Sequence, residues 1–124
     1  MQNKILTIAV PSYNAEKYLT ETMPSILAAK YRDLIDLVIV NDGSTDTTRE
    51  IAEEISKQYP EIVRVINREN GGHGSAVNIG IEYAVGKYFK VVDADDWVDT
   101  GNLDLLIEYL QETDVDNVLS PYYK

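Results

Sequence analysis

Cysteine is absent from this 124-residue chain, which excludes a disulfide framework, a zinc-thiolate site and a cysteine nucleophile. Basic residues are scarce: 11 Lys and Arg stand against 21 Asp and Glu, a net charge of -10. Unaided binding to a nucleic acid backbone is excluded with them, because phosphate affinity comes mainly from clustered cations. An anionic ligand would need backbone amides or a metal. Nowhere do about 18 apolar residues occur together, so no membrane span is expected. Met1-Gln2-Asn3-Lys4 runs straight into a strand-like segment, without the pattern of a secretory leader, and the expected location is the cytoplasm. Internal repeats, low-complexity tracts and Gly/Ser linkers are missing too, and a single domain over residues 1–124 is expected. Such a domain buries roughly two thirds of its unfolded surface.

What is present is an alternation of two periods. Ile5 to Val10, halted by Pro11, and Leu34 to Val40, halted by Asn41-Asp42-Gly43, are short β-prone apolar runs. Ile62 to Ile66 and Tyr88 to Val92 are further strands, with a weak last one at Asn117 to Ser120. Between them the apolar spacing is helical: Leu19, Met23, Ile26 and Leu27; Ile51, Ala52, Ile55 and Tyr59; Ala76, Ile79, Gly80, Tyr83 and Ala84; Leu103, Leu106, Ile107 and Leu110. Pro24 predicts a kink or restart in the first helix, and Thr47 with Glu50 predicts a capping box at the start of the second. Strands alternating with helices through short loops imply an α/β fold, a mostly parallel sheet with helices on both faces.

In such a fold ligands bind beyond the carboxyl ends of the strands. Four unusual segments follow the strands: Pro11-Ser12-Tyr13-Asn14, Asn41 to Asp46, Asn67 to Gly74, and Asp93-Ala94-Asp95-Asp96. Three carboxylates within four positions repel one another unless a cation or donors compensate, and hard oxygen ligands suit Mg²⁺, Mn²⁺ or Ca²⁺. An isolated acidic triplet is more often a solvated turn, but the run Tyr88 to Val92 fixes this one at a strand end. A helix-loop-helix calcium site fits poorly, since Trp97 and Val98 stand where a ligand and a glycine are needed. Gly43 permits a sharp turn that exposes Asp42 at the rim, where it could accept from a planar base; a plain turn is an equal reading. Asp46 is expected only to cap the second helix. Gly71 to Ser75 could offer amides to an anion, but it fails the dinucleotide fingerprint, and no Walker loop exists. His73, the only histidine, has no assigned role. Ser12 lacks a nucleophile elbow, and Tyr13 either stacks on a base or packs.

Taken in order, Pro11-Ser12-Tyr13-Asn14, Val40 to Asp46, Asn70-Gly71-Gly72 with Asn78-Ile79-Gly80, and Asp93-Ala94-Asp95-Asp96 closely resemble the nucleotide-binding half of family 2 glycosyltransferases with the GT-A fold, over essentially the whole chain. The resemblance implies a three-layer α/β/α sandwich. It also implies transfer of a sugar, with inversion, from a nucleotide diphosphate sugar (usually a UDP-sugar) to an acceptor hydroxyl on a glycan or lipid-linked acceptor. Pro11, Ser12, Tyr13, Asn14 and Asp42 would cradle uracil and ribose, with Asn70, Gly71, Asn78 and Ala94 in the same nucleotide-binding set. Asp93 and Asp95 would hold the ribose and a Mn²⁺ or Mg²⁺ on the diphosphate, with Asp96 close by.

Two departures from the family pattern stand out. Val77 occupies the place of a frequent Arg, and the chain stops at Lys124, whereas the acceptor region and catalytic base of such enzymes lie downstream. A truncated domain is therefore expected, with its base beyond Lys124; Glu108 and Asp114 are poor substitutes. Cell-wall, capsule or lipid-linked glycan synthesis is compatible with this. A receiver domain is rejected because Pro11-Ser12, Asn67-Arg68 and Pro121-Tyr122 stand where its acids and lysine belong. A sugar nucleotidylyltransferase lacks its basic Gly-rich loop here. A catalytically silent nucleotide-sugar-binding module is the remaining alternative.

Overall fold

A computed structural model of the chain describes residues 4–96 and 98–112, so the expected strand at Asn117 to Ser120 lies outside the described residues, as does Asp114. In chain order the elements are β1 (Leu6–Ser12), α1 (Glu16–Leu27), β2 (Ile35–Asp42), α2 (Thr48–Gln58), β3 (Val63–Arg68), α3 (His73–Tyr83), β4 (Tyr88–Val91) and α4 (Thr100–Glu112). The four strands form one parallel sheet in the order β3-β2-β1-β4. Parallel pairing puts every strand's carboxyl end on the same edge, and the four unusual segments therefore meet there.

The pleat divides the apolar residues between two faces. Leu6, Ile8 and Val10 with Ile35, Leu37 and Ile39 pack against Leu19, Met23 and Ile26 of α1, Ala52 of α2 and the Leu103, Leu106, Ile107, Leu110 stripe of α4. Val38 and Val40 turn the other way, onto Ala76 and Ile79 of α3. Helices thus cover both faces, as the alternating periods predict. The α3 face is thin, and Gly80 is the reason it closes: a Cβ there would sit 2.6 Å from the Ala9 Cβ. Gly80→Ala should therefore overpack this contact and cost about 1–3 kcal/mol in a denaturant titration.

Several element ends differ from the sequence expectation. β1 continues through Pro11 to Ser12 because the Ala9 carbonyl takes the Val92 N–H as pairing with β4 runs out, so Pro11, two residues on, points its missing donor where no ladder partner stands. β2 likewise extends to Asp42, since Asn41 and Asp42 still pair with Asn67 and Arg68 of β3. α1 passes through Pro24 without breaking into two helices. The capping box does not form: Thr47 makes no side-chain cap, and the Asp46 carboxylate instead accepts from the Thr48 N–H at 2.8 Å and from the Thr48 hydroxyl. Burial pushes the Asp46 pKa up, but these bonds and those involving Glu16 outweigh it and hold the carboxyl below its usual value.

A polar knot that the sequence does not announce lies at the opposite end of the strands. Asp36 is fully buried, takes the Arg64 guanidinium through Nε at 3.0 Å and Nη2 at 2.8 Å, and accepts from the Thr7 hydroxyl at 2.8 Å. Thr7 in turn accepts the Gly86 N–H at 2.7 Å, which ties β1, β2, β3 and the end of the α3 crossover together. Lys4 is buried nearby, donating to the carbonyls of Asp33 at 2.9 Å and Glu61 at 2.7 Å; burial lowers its pKa, with Asp36, Asp33 and Glu61 opposing that shift.

Candidate nucleotide-sugar site

The rim is built on a clamp. Asp42 ends β2 with its side chain only 5% exposed, and its two carboxylate oxygens accept the N–H groups of Gly71 at 2.9 Å and Gly72 at 3.0 Å. Arg68 at the end of β3 lies 3.4 Å from the same carboxylate, and the Asn70 amide donates to the Asp42 carbonyl at 3.0 Å. The carboxylate is therefore turned under the glycine loop, not exposed at the rim as the sequence suggests. Gly43 does make the sharp turn, at φ +69°, and it must be glycine for a second reason: a Cβ there would lie 2.5 Å from the Asn70 nitrogen. Gly72 also has a positive φ, +96°, and it delivers the chain into the first turn of α3 at His73.

Asn14 fastens the neighbouring loop. Its φ of +49° is left-handed, its side-chain oxygen accepts the Thr45 N–H at 2.8 Å, and its own N–H donates to the Ser44 hydroxyl at 2.9 Å. Ser12 is buried and donates back to the Val10 carbonyl at 3.1 Å, so its hydroxyl faces the interior. Tyr13 is 53% exposed above them.

The acidic segment leaves the end of β4 as a turn, with the Asp96 N–H donating to the Asp93 carbonyl at 2.9 Å. Its middle residue, Ala94, is buried, and its carbonyl accepts the Thr22 hydroxyl of α1 at 2.8 Å. Holding Ala94 inward turns its neighbours outward. One carboxylate oxygen from each of Asp93, Asp95 and Asp96 lies within 4.8 Å of the others, a spacing and donor set suited to one hard divalent cation. The His73 Nε2 lies 2.7 Å from Asp93 Oδ1.

Pro11, Tyr13, Ala15, Tyr18, His73, Asp93, Ala94 and Asp95 together line an open cleft of about 310 Å³. Of the residues singled out in the sequence, the structure thus brings Pro11, Tyr13, Asp93, Ala94 and Asp95 to one wall, with Asp96 beside them. Asn14, Asp42, Asn70 and Gly71 shape the supporting loops, and Asn78 is exposed on α3 outside the cleft lining. Two participants escape the sequence reading. His73 sits twenty positions from Asp93, and Thr22 lies on a helix with nothing in its neighbourhood to mark it. Only the glycines around His73 hinted that its loop is special. Glu108 is engaged elsewhere, accepting from the Tyr31 hydroxyl at 2.8 Å; this bond raises the tyrosine pKa.

Comparison with known proteins places this parallel sheet and its rim in a family. The family model "Glycosyl transferase family 2" matches residues 7–124. The chain belongs to this family. Glycosyltransferase GlyG of Streptococcus pneumoniae serotype 4 (strain ATCC BAA-334 / TIGR4) is 39% identical over 122 residues, which cover 98% of this chain and 40% of GlyG. Among solved structures, S. aureus TarS 1-349 in complex with UDP-GlcNAc superposes with a TM-score of 0.76 at 29% identity, over 87% of this chain and 31% of that one. The mannosyltransferase PcManGT from Pyrobaculum calidifontis, in complex with GDP-Man and Mn²⁺, gives 0.77 at 25% identity, over 93% of this chain and 34% of that one. The sheet and its covering helices are thus of the GT-A type, and the chain spans less than half the length of these relatives. Among the described residues, no helix is long and apolar enough to cross a membrane.

Proposed function

We propose that this chain forms the donor-binding portion of an inverting, metal-assisted glycosyltransferase that moves a sugar from a nucleotide diphosphate sugar, a UDP-sugar, to an acceptor hydroxyl. The observation that carries the reading is the grouping of the Asp93, Asp95 and Asp96 oxygens within 4.8 Å at the end of β4, with Asp93 and Asp95 in a cleft shared by Pro11 and Tyr13. Support comes from family membership and from two structural neighbours that hold nucleotide sugars, one of them with Mn²⁺.

In this reading the flat surfaces of Pro11 and Tyr13 receive the base, and the loops pinned by Asn14 and Asp42 keep that wall in place. Asp93 and Asp95, with Asp96 beside them, hold a Mn²⁺ or Mg²⁺ ion. When bound, the cation supplies positive charge to the diphosphate, whose negative charge grows as the glycosidic bond breaks. The acceptor oxygen forms the new bond to the anomeric carbon while the diphosphate leaves with the old bond's electron pair. The acceptor's proton passes to a carboxylate base.

Calorimetric titration of UDP, with GDP as control, tests the proposal. Saturable UDP binding in Mn²⁺ is expected, weakened strongly in chelator and in Asp95→Ala. Absence of binding under every condition would sink it. Binding of UDP-sugar without any sugar release would instead assign a silent nucleotide-sugar-binding module.

A further inference from the structure

We infer that His73 is a positioning residue for the metal carboxylate Asp93. Its Nε2 lies 2.7 Å from Asp93 Oδ1, across twenty residues of sequence, with both side chains on the wall of the cleft. An ionised carboxylate only accepts hydrogen bonds, so the imidazole hydrogen sits on Nε2 and points at Oδ1. That bond fixes the rotation of the carboxylate and leaves Oδ2 and the remaining lone pair of Oδ1 available to a cation. Outer partners of this kind orient ligands that would otherwise rotate freely. The need is real here, because the Asp93 side chain is 48% exposed.

The placement of His73 is itself built in. Asp42 holds the amides of Gly71 and Gly72, and Gly72 takes a φ of +96° that sets the entry into α3, so the first side chain of that helix is delivered to the acidic turn. The chain Asp42, Gly72, His73, Asp93 thus couples the loop after β3 to the loop after β4. His73 is not itself among the clustered metal-ligating groups, which are the three carboxylates.

This inference rests on the donor-binding reading, and its test separates the two. Mn²⁺ alone is titrated into the chain, binding being read from the loss of the free-ion paramagnetic resonance signal, for the wild type and for His73→Leu, His73→Asn and His73→Gln. The His73 side chain is 62% exposed, so all variants should melt with the wild type. His73→Leu should raise the Mn²⁺ dissociation constant by about tenfold. His73→Gln should recover most of the loss, since its amide nitrogen reaches the position of Nε2; His73→Asn, matching Nδ1 instead, should not. Mn²⁺ uptake by the wild type with equal affinity in His73→Leu overturns the inference alone, as does failure of Gln to do better than Asn. Absence of Mn²⁺ uptake by the wild type overturns the inference and metal assistance together, while UDP binding in chelator would still report on the donor site.

Discussion

Asp42→Asn is expected to lower stability by about 3 kcal/mol with no ligand present, and to weaken UDP binding by about tenfold or more. The substitution is nearly isosteric, which makes the size of the effect informative. In the wild type both carboxylate oxygens accept from backbone amides, Gly71 at 2.9 Å and Gly72 at 3.0 Å, in a site where the side chain is 5% exposed. An Asn must present its NH₂ to one of those amides, so two donors face each other and one half-buried N–H loses its partner. The Arg68 guanidinium, 3.4 Å away, loses its counter-charge as well. A residue that only touched the nucleotide would leave the ligand-free melting curve unchanged. Denaturant titration of the free chain beside UDP calorimetry therefore distinguishes a clamp from a simple contact.

The second large effect lies far from the rim. Asp36→Ala should cost about 3 kcal/mol, at the lower end of the range for breaking a buried ion pair, because Arg64 is 31% exposed and can turn to water once its partner is gone. The Thr7 hydroxyl loses its acceptor in the same step. Asp36 pairs with Thr7 near the start of the strands, at the end opposite Asp93, so UDP affinity measured well below the melting point should not change. Replacing the pair together, Asp36→Leu with Arg64→Met, should recover part of the lost stability, since an apolar pair has no charge left to desolvate. A double variant no more stable than Asp36→Ala would show that the knot's bonds to Thr7 matter more than its charges.

The fold was legible because its determinants are local and periodic. A strand buried on both faces reads as an apolar run, and a crossover helix reads as a stripe at i, i+3, i+4, so Ile8, Leu37, Met23 and Ile107 announce their own burial. Strand ends were less legible, since they depend on neighbours. Pro11 continues β1 only because β4 has already parted from it, and Asn41 and Asp42 extend β2 only because β3 still runs alongside. The capping prediction failed through competition: Asp46 offers a carboxylate where Thr47 offers a hydroxyl, and the charge-assisted bond wins.

By itself, the sequence determined the α/β class, the parallel sheet, the edge on which ligand-facing loops must lie, and the concentration of acid after β4. These follow from composition, period and the rule that parallel strands end together. Tertiary structure alone decided what each rim residue does. It turned Asp42 inward as a clamp, bound Asn14 to Thr45, drew the Ala94 carbonyl to Thr22, and brought His73 to Asp93. The physical reason is that a side chain's hydrogen-bonding capacity is written in its identity, whereas the partner that uses it comes from a segment 20 to 72 residues away, placed there only when the sheet has assembled.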